Sequence, residues 1–258
     1  MSDLSEVGVV VPTLGTRINY LVECLKSIRG AGCTNIYLVG PINVLQNKQE
    51  LMGLYDCLID DPKSGLTGAI NTGVKSFPRF IRYVTWLGDD DLLTKDSLTA
   101  SLLAFDADAS VVATYGMCDY ISSDGSRIFQ NKSGNWASIL MNFLPNLIPQ
   151  PGSLLSRLAF EKIGGVKPRY PLAFDFEMFF ELKKFGKLQY IPKVLGTFRW
   201  HPDSMSVDQR KQAVQQSSQI RKTYLPNHFR LIAQLWEPVL ILGTLNLSKL
   251  MNKEKLKS

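Results

Sequence analysis

Three consecutive carboxylates, Asp89-Asp90-Asp91, follow directly on the run Tyr83-Val84-Thr85-Trp86-Leu87-Gly88. A β-prone apolar run of this kind reads as a buried strand. Three negative charges crowded at its end repel one another unless a cation joins them. The common solution is Mg2+ or Mn2+, which takes hard oxygen ligands and bridges to the phosphates of a substrate. The plainer reading is a solvated turn that also starts the helix at Thr94-Lys95-Asp96-Ser97-Leu98.

The elements that would carry such a site alternate. Val7 to Val11 reads as a buried strand that ends at Pro12-Thr13-Leu14-Gly15, and a helix follows from Asn19 to Gly30. Further strands are expected at Asn35 to Val39, Cys57 to Ile59, Tyr83 to Leu87 and Ser110 to Tyr115. Helices are expected at Glu50 to Tyr55, Leu66 to Lys75 and Asp96 to Phe105. This βαβαβ order predicts an α/β chain with a Rossmann-like, mostly parallel sheet and helices on both faces. Ligands of such sheets sit outside the carboxyl ends of the strands. The loops Pro12–Arg17, Gly40–Pro41, Asp60–Gly65 and Gly88–Asp91 would share that edge, so Arg17 and Lys63 could contact a nucleotide, although lone basic loop residues are commonly just solvated. Beyond residue 118 the pattern is less regular. A hairpin is expected over Asp119 to Phe129 with its turn at Ser123-Asp124-Gly125-Ser126, an irregular stretch over Asn142 to Gly152, helices over Ser156 to Ile163 and Phe174 to Phe185, and strands at Leu188 to Ile191 and Val194 to Arg199.

Composition narrows the class. With 45% apolar and 20% charged residues, the 258-residue chain resembles an ordinary globular protein, so disordered and membrane-spanning classes are not expected. Its first residues lack the features of a signal peptide. The cysteines Cys24, Cys33, Cys57 and Cys118 have neither C-x-x-C spacing nor a nearby histidine, so they read as free thiols of a cytoplasmic protein. Residues 210–258 hold nine Lys and Arg against two Asp and Glu, whereas the preceding 209 residues hold 20 against 21. A near-neutral body argues against nucleic acid as a partner, and the basic end suggests an anionic surface.

Four segments in order resemble the inverting glycosyltransferases of family 2. They are Val9-Val10-Val11-Pro12-Thr13, Leu66 with Ala69-Ile70-Asn71-Thr72-Gly73, Trp86-Leu87-Gly88-Asp89-Asp90-Asp91, and Phe174-Asp175-Phe176-Glu177. Arg199-Trp200-His201-Pro202-Asp203-Ser204-Met205-Ser206 extends the likeness as the family's Arg-x-His segment near the donor phosphates. The resemblance spans about residues 7–206 and implies the GT-A fold, with a nucleotide-binding half near 1–118, an acceptor half near 119–206 and a helical tail at 207–258. It implies a nucleotide-sugar donor (UDP-, dTDP- or GDP-linked) and a glycan or lipid-linked acceptor. Asp90, Asp91 and His201 are the implied metal ligands. Pro12, Thr13, Arg17, Asp61, Lys63, Asp89 and Arg199 are the implied donor contacts, with Asp89 nearer the ribose. Asp175 is the implied catalytic base. Two departures stand out. Gly40-Pro41 occupies the place where the family often has a base-contacting aspartate, and Gly88 replaces the first acid of the usual D-x-D.

The residue types suit that chemistry. A divalent cation neutralises a departing diphosphate, and a positioned carboxylate takes the acceptor's proton. Asp175 also reads as a plain helix cap, Arg199 as a surface ion pair and His201 as a loop histidine. Two other functions remain in view: a nucleotidyltransferase, for which Val11 to Arg17 is a poor phosphate loop, and a non-catalytic nucleotide-sugar-binding protein of the same fold. In the tail, Phe229, Ile232, Leu235, Trp236, Val239, Leu242 and Leu245 recur at helical spacing beside Lys249, Lys253, Lys255 and Lys257. The stretch is too short to span a bilayer. It fits a helix lying on the inner face of an anionic membrane, or one packed on the body or on a second copy in a homodimer.

Overall fold

Every residue of β1 (Val7–Pro12) is buried, as expected of a central strand covered on both faces. Its alternate side chains serve two cores. Val7, Val9 and Val11 pack with Leu21, Leu25 and Ile28 of α1 (Ile18–Gly30) and with Leu98 and Leu102 of α4 (Ser97–Ala107). Val10 packs on the opposite face with Ile70 and Val74 of α3 (Gly65–Ser76) and with the cluster around Phe176 and Phe179 of α7 (Phe174–Lys183). The structure is a computed structural model that describes residues 2–201, 209–226, 229 and 236–246.

Parallel neighbours β2 (Ile36–Gly40), β3 (Cys57–Asp60) and β4 (Tyr83–Trp86) complete the first half of one sheet, with α2 (Ile42–Leu45) between β2 and β3. The order across the described sheet is β3-β2-β1-β4-β8-β6-β9-β5. The second half comprises β5 (Leu92–Leu93), the long β6 (Val111–Ile121), β7 (Arg127–Asn131), β8 (Leu154–Ser156) and the parallel partner of β6, β9 (Lys187–Arg199). One edge of β6 is shared: its start pairs with β8 and its end forms the expected hairpin with β7. The remaining helices are α5 (Asn135–Ile139), α6 (Arg157–Lys162) and α8 (Arg210–Tyr224).

The α/β architecture is as expected, and local details differ. The stretch expected as a helix over Glu50 to Tyr55 forms only a 3-10 turn, Gln49–Leu51. The two strands expected around Pro192 are one strand, β9. Tyr115 pairs with Tyr190 and Met117 with Val194, so β9 accommodates two extra residues there as a bulge, a position where proline's missing N–H is tolerated. Strand β8 has no counterpart among the expected elements. It lies antiparallel between β4 and β6, joining Tyr83↔Ser156 and Val84↔Leu155 on one side to Ala113↔Leu155 and Thr114↔Leu154 on the other.

Two backbone crossings set the segment between α5 and β8. A Cβ added at Gly196 would lie 2.5 Å from the carbonyl carbon of Pro151, and one at Gly152 (φ +84°) would lie 2.5 Å from that of Leu195. Only glycines allow the irregular segment to lie this close to β9. Gln150 Nε2 ties the same segment to Trp86 O at the end of β4 (2.8 Å).

Helix α8, from the expected tail, packs on the body. Ile220 joins the main core, and the Tyr224 ring stacks on Phe180 of α7 at 4.7 Å. Residues 236–246 are helical. From them Glu237 forms a buried ion pair with Arg221, both contacts at 2.7 Å, and accepts from Ser218 Oγ at 2.6 Å. No helix among the described residues is long and apolar enough to cross a membrane. The tail lysines Lys249, Lys253, Lys255 and Lys257, with Ile232 and Leu235, lie outside the described residues.

Candidate active site

The carboxyl ends of β1 and β4 deliver Pro12 and Trp86 to one edge, and the turns beyond them face each other. The Gly88–Asp91 turn closes on itself through Asp91 N to Gly88 O (3.1 Å). It buries all three carboxylates among protein groups. Asp89 accepts from Thr13 Oγ1 and from Arg17 Nη2, each at 2.5 Å. Asp90 Oδ2 meets Arg17 Nη1 at 3.0 Å and His201 Nε2 at 2.8 Å. Asp91 Oδ1 accepts the backbone N–H of Arg199 at 3.0 Å. Burial pushes the Asp89 carboxyl up against the opposing pull of Thr13 and Arg17, and it pushes Asp91 well up, with Asp90 adding like-charge repulsion. Burial likewise raises the Cys24 thiol, which sits under the turn and donates to Gly88 O.

Arg199 belongs to the frame of this turn. Its side chain is 2% exposed. It donates from Nε to Asp90 O (3.1 Å), from Nη1 to Ser123 O (3.2 Å) and from Nη2 to Glu23 Oε2 (2.5 Å), and its guanidinium lies 4.4 Å from the centre of the Tyr20 ring. His201 sits behind Asp90, also within reach of Arg17. The rest of the Arg-x-His segment, Pro202-Asp203-Ser204-Met205-Ser206, lies outside the described residues.

A cleft of about 910 Å³ opens in front of these groups, a size typical of small-molecule sites. Pro12, Thr13, Arg17, Asp89, Asp90, Asp91 and Asp175 all line it. Asp61 and Lys63 are not among its lining residues; Asp61 Oδ1 accepts from Lys63 N in an exposed turn with Lys63 at φ 54°. Asp175, in the first turn of α7, accepts from Asn146 Nδ2 at 3.1 Å. Surrounding protein raises its carboxyl to about 6, against the opposing hydrogen bonds from Phe176 N–H and Asn146.

The donor set suits a hard divalent cation. Among the described residues no three acidic, imidazole or thiol groups converge as a ready-made metal cluster. A Cβ at Gly88, however, would lie 2.9 Å from Asp90 Oδ1 and 3.0 Å from Asp91 Oδ2. The glycine that stands in place of an acid therefore leaves a cradle bounded by two carboxylate oxygens, with neither oxygen bound to a donor among the described residues. Asp90 and Asp91 with phosphate oxygens would make an oxygen-rich shell for Mg2+ or Mn2+, and Arg17 supplies the positive charge in this structure.

Several residues of the cleft carry no motif. Asn146 and Gln150 come from the stretch expected only to be irregular; amide side chains between prolines were the available signal. Tyr120, Phe129 and Phe198 read as strand residues, and Arg210 as one more basic residue of the tail.

No family model matches the chain. In sequence it is 25% identical over 178 residues to a hyaluronan synthase of Pasteurella multocida, and 25% identical over 151 residues to a chondroitin synthase of the same species, strain Pm70. These matches cover 69% and 58% of this chain but only 17% and 15% of the relatives. The fold is similar to that of S. aureus TarS 1-349 in complex with UDP-GlcNAc (TM-score 0.58, 13% identity, 86% of this chain and 72% of that one). It is also similar to that of the mannosyltransferase PcManGT from Pyrobaculum calidifontis in complex with GDP-Man and Mn2+ (TM-score 0.61, 14% identity, 98% and 75%). The fold is of the GT-A type, and the named relatives and neighbours are consistent with the family 2 resemblance of the sequence.

Proposed function

We propose that this chain is an inverting glycosyltransferase of the family 2 kind, moving a sugar from a nucleoside-diphosphate sugar to a hydroxyl of a glycan or lipid-linked glycan. The observation that carries the reading is the meeting of two unlike carboxylate sites in one cleft: the braced Asp89–Asp91 turn and the Asn146-held Asp175. In this reading Pro12, Thr13, Arg17 and Asp89 hold the nucleotide side, and the donor is UDP-, dTDP- or GDP-linked. Asp90 and Asp91, with His201 behind Asp90, would hold Mg2+ or Mn2+, which supplies charge neutralisation to the leaving diphosphate. Arg199 and Glu23 keep the turn rigid, so its carboxylates need little reorganisation when the donor arrives.

The acceptor oxygen bonds to the anomeric carbon from the face opposite the leaving group. The carbon–oxygen bond to the diphosphate breaks, and the nucleoside diphosphate departs. The acceptor's proton passes to the Asp175 carboxylate. A carboxyl raised to about 6 is a stronger base than an ordinary aspartate and is still ionised at neutral pH. In the proposed organisation the nucleotide half runs to about residue 118 and the acceptor half begins at 119. The lysines beyond 246 are the residues assigned to an anionic membrane surface.

The deciding experiment incubates the full chain with UDP-, dTDP- and GDP-sugars, with and without Mn2+, and follows melting temperature and nucleoside diphosphate release. One nucleotide class should raise the melting point and slowly release its diphosphate. Formation of a nucleoside triphosphate and sugar 1-phosphate when pyrophosphate is added to the nucleotide sugar would indicate nucleotidyl transfer run in reverse, and binding without turnover would indicate a binding protein.

A further inference from the structure

Arg210 opens α8 and lines the cleft. Its Nε is shut off from solvent and has no acceptor among the described residues. No acidic residue lies in the first turn of α8. Burial lowers the hold of this guanidinium on its proton. The other two arginines on the cleft wall are engaged: Arg17 by Asp89 and Asp90, Arg221 by Glu237. A buried donor without an acceptor is costly, and a ligand oxyanion would remove that cost.

The surroundings narrow the ligand. Tyr120, Phe129, Phe198 and Trp200 line the same cleft. Tyr120 stacks on Phe129 at 4.2 Å and meets Phe198 at 5.2 Å. Aromatic faces give an apolar platform with specific geometry, and a pyranose presents a matching face of C–H groups. These residues come from β6, β7, the end of β9 and α8. None comes from the Pro12–Arg17 loop or the Asp89–Asp91 turn, where the donor is assigned.

We propose that Arg210 is a specificity residue that binds an acid group, carboxylate or phosphate, on the acceptor glycan, whose ring lies on the Tyr120–Phe129 wall. The proposal rests on the glycosyltransferase reading for which side of the cleft takes the acceptor.

The test uses the full chain with UDP and Mn2+ present. Binding of methyl glucuronide is compared with methyl glucoside, and of glucose 6-phosphate with glucose, by titration. The first pair reports a carboxylate and the second a phosphate. At least one charged probe should bind about tenfold more tightly than its neutral partner, the scale of a charge-assisted hydrogen bond. Arg210→Gln should bring that ratio to about one, Arg210→Lys should keep part of it, and UDP affinity should be unchanged in both. No preference in the wild type, or a preference that survives Arg210→Gln, overturns the proposal. So does lost UDP affinity in Arg210→Gln with the probe preference intact, because the arginine would then serve the donor. If UDP, dTDP and GDP all fail to bind while an Arg210-dependent preference persists, the transferase reading falls and the anion site stands.

Discussion

Asp175 must be ionised to accept a proton, and its raised value sets the pH at which that happens. With the carboxyl at about 6, transfer at saturating donor should fall about tenfold per pH unit below 6 and level off above it. Asn146 holds the ionised form, so Asn146→Ala should move this acid limb to higher pH, read from a pH–kcat profile. Asp175→Asn should lower kcat by about 10²–10⁴-fold and leave donor affinity nearly unchanged. Lost donor binding with intact kcat would give Asp175 another role. The same residue affects stability. A folded-state value above the unfolded one means that the stability present below about pH 4 is lost as pH rises through about 6. At 1.36 kcal/mol per unit the cost at neutral pH is at most about 3 kcal/mol. Asp175→Asn should therefore melt above the wild type at pH 7.5, and the gap should close toward pH 4. For the metal, Asp90→Ala should abolish Mn2+-dependent donor binding and transfer while keeping the circular dichroism of the fold. Full activity in EDTA would remove the metal from the mechanism.

At the scale of elements, the site depends on how closely its supports approach. Gly196→Ala would drive a Cβ into Pro151, forcing the segment that carries Asn146 and Gln150 away from β9. Substitutions of this kind cost roughly 1–3 kcal/mol, and the expected readouts are a lower urea midpoint and a loss of kcat larger than that of donor affinity. Strands β1 and β4 and helices α1 and α4 around Asp89–Asp91 were legible because each follows a local rule: a continuous apolar strand, a helical stripe, a glycine at the turn; the two-residue β5 was not. Asp175 was legible as the head of an apolar helix within a motif. Asn146, β8 and the aromatic wall were not, because their roles come from pairing across long stretches of sequence. Three residues such as Leu154–Ser156 carry no period of their own. Arg199 shows the same limit. Its residue type suits a phosphate ligand, and only tertiary contacts reveal that its guanidinium is already engaged by Glu23, Ser123 and the Asp90 carbonyl.

Across the whole molecule, the chain beyond residue 209 carries both α8 and a basic end. Helix α8 supports the cleft and is locked by the Arg221–Glu237 pair, 2% exposed on each partner. Removing one partner of a buried pair costs about 3–5 kcal/mol, so Glu237→Ala, or a chain ending at Tyr224, should unfold at markedly lower urea than the full chain. The basic stretch beyond 246 is the better place to separate membrane binding from folding. A chain ending at residue 246 should keep the wild-type melting point and lose salt-sensitive co-sedimentation with anionic vesicles, at about 1 kcal/mol per lysine. Equal sedimentation of the two chains would remove these lysines as a membrane anchor, and a shift from dimer to monomer in light scattering would assign them to a second copy.

Strand β8 also bears on the order in which the molecule can be made. The half-sheet of β1 to β4 and the half-sheet of β6, β9 and β5 touch through these three residues. Both of β8's neighbours emerge from the ribosome before it does, and β9, which completes the far half, emerges later still. A nascent chain stopped at residue 150 thus holds a zipped N-terminal half-sheet with the edge of β4 bare, and such unpaired edges are prone to association. Seam closure late in synthesis makes long-range pairing the slow step. Limited proteolysis of stalled chains should show protection of residues 7–86 early and of 111–121 only once the seam strand has left the tunnel.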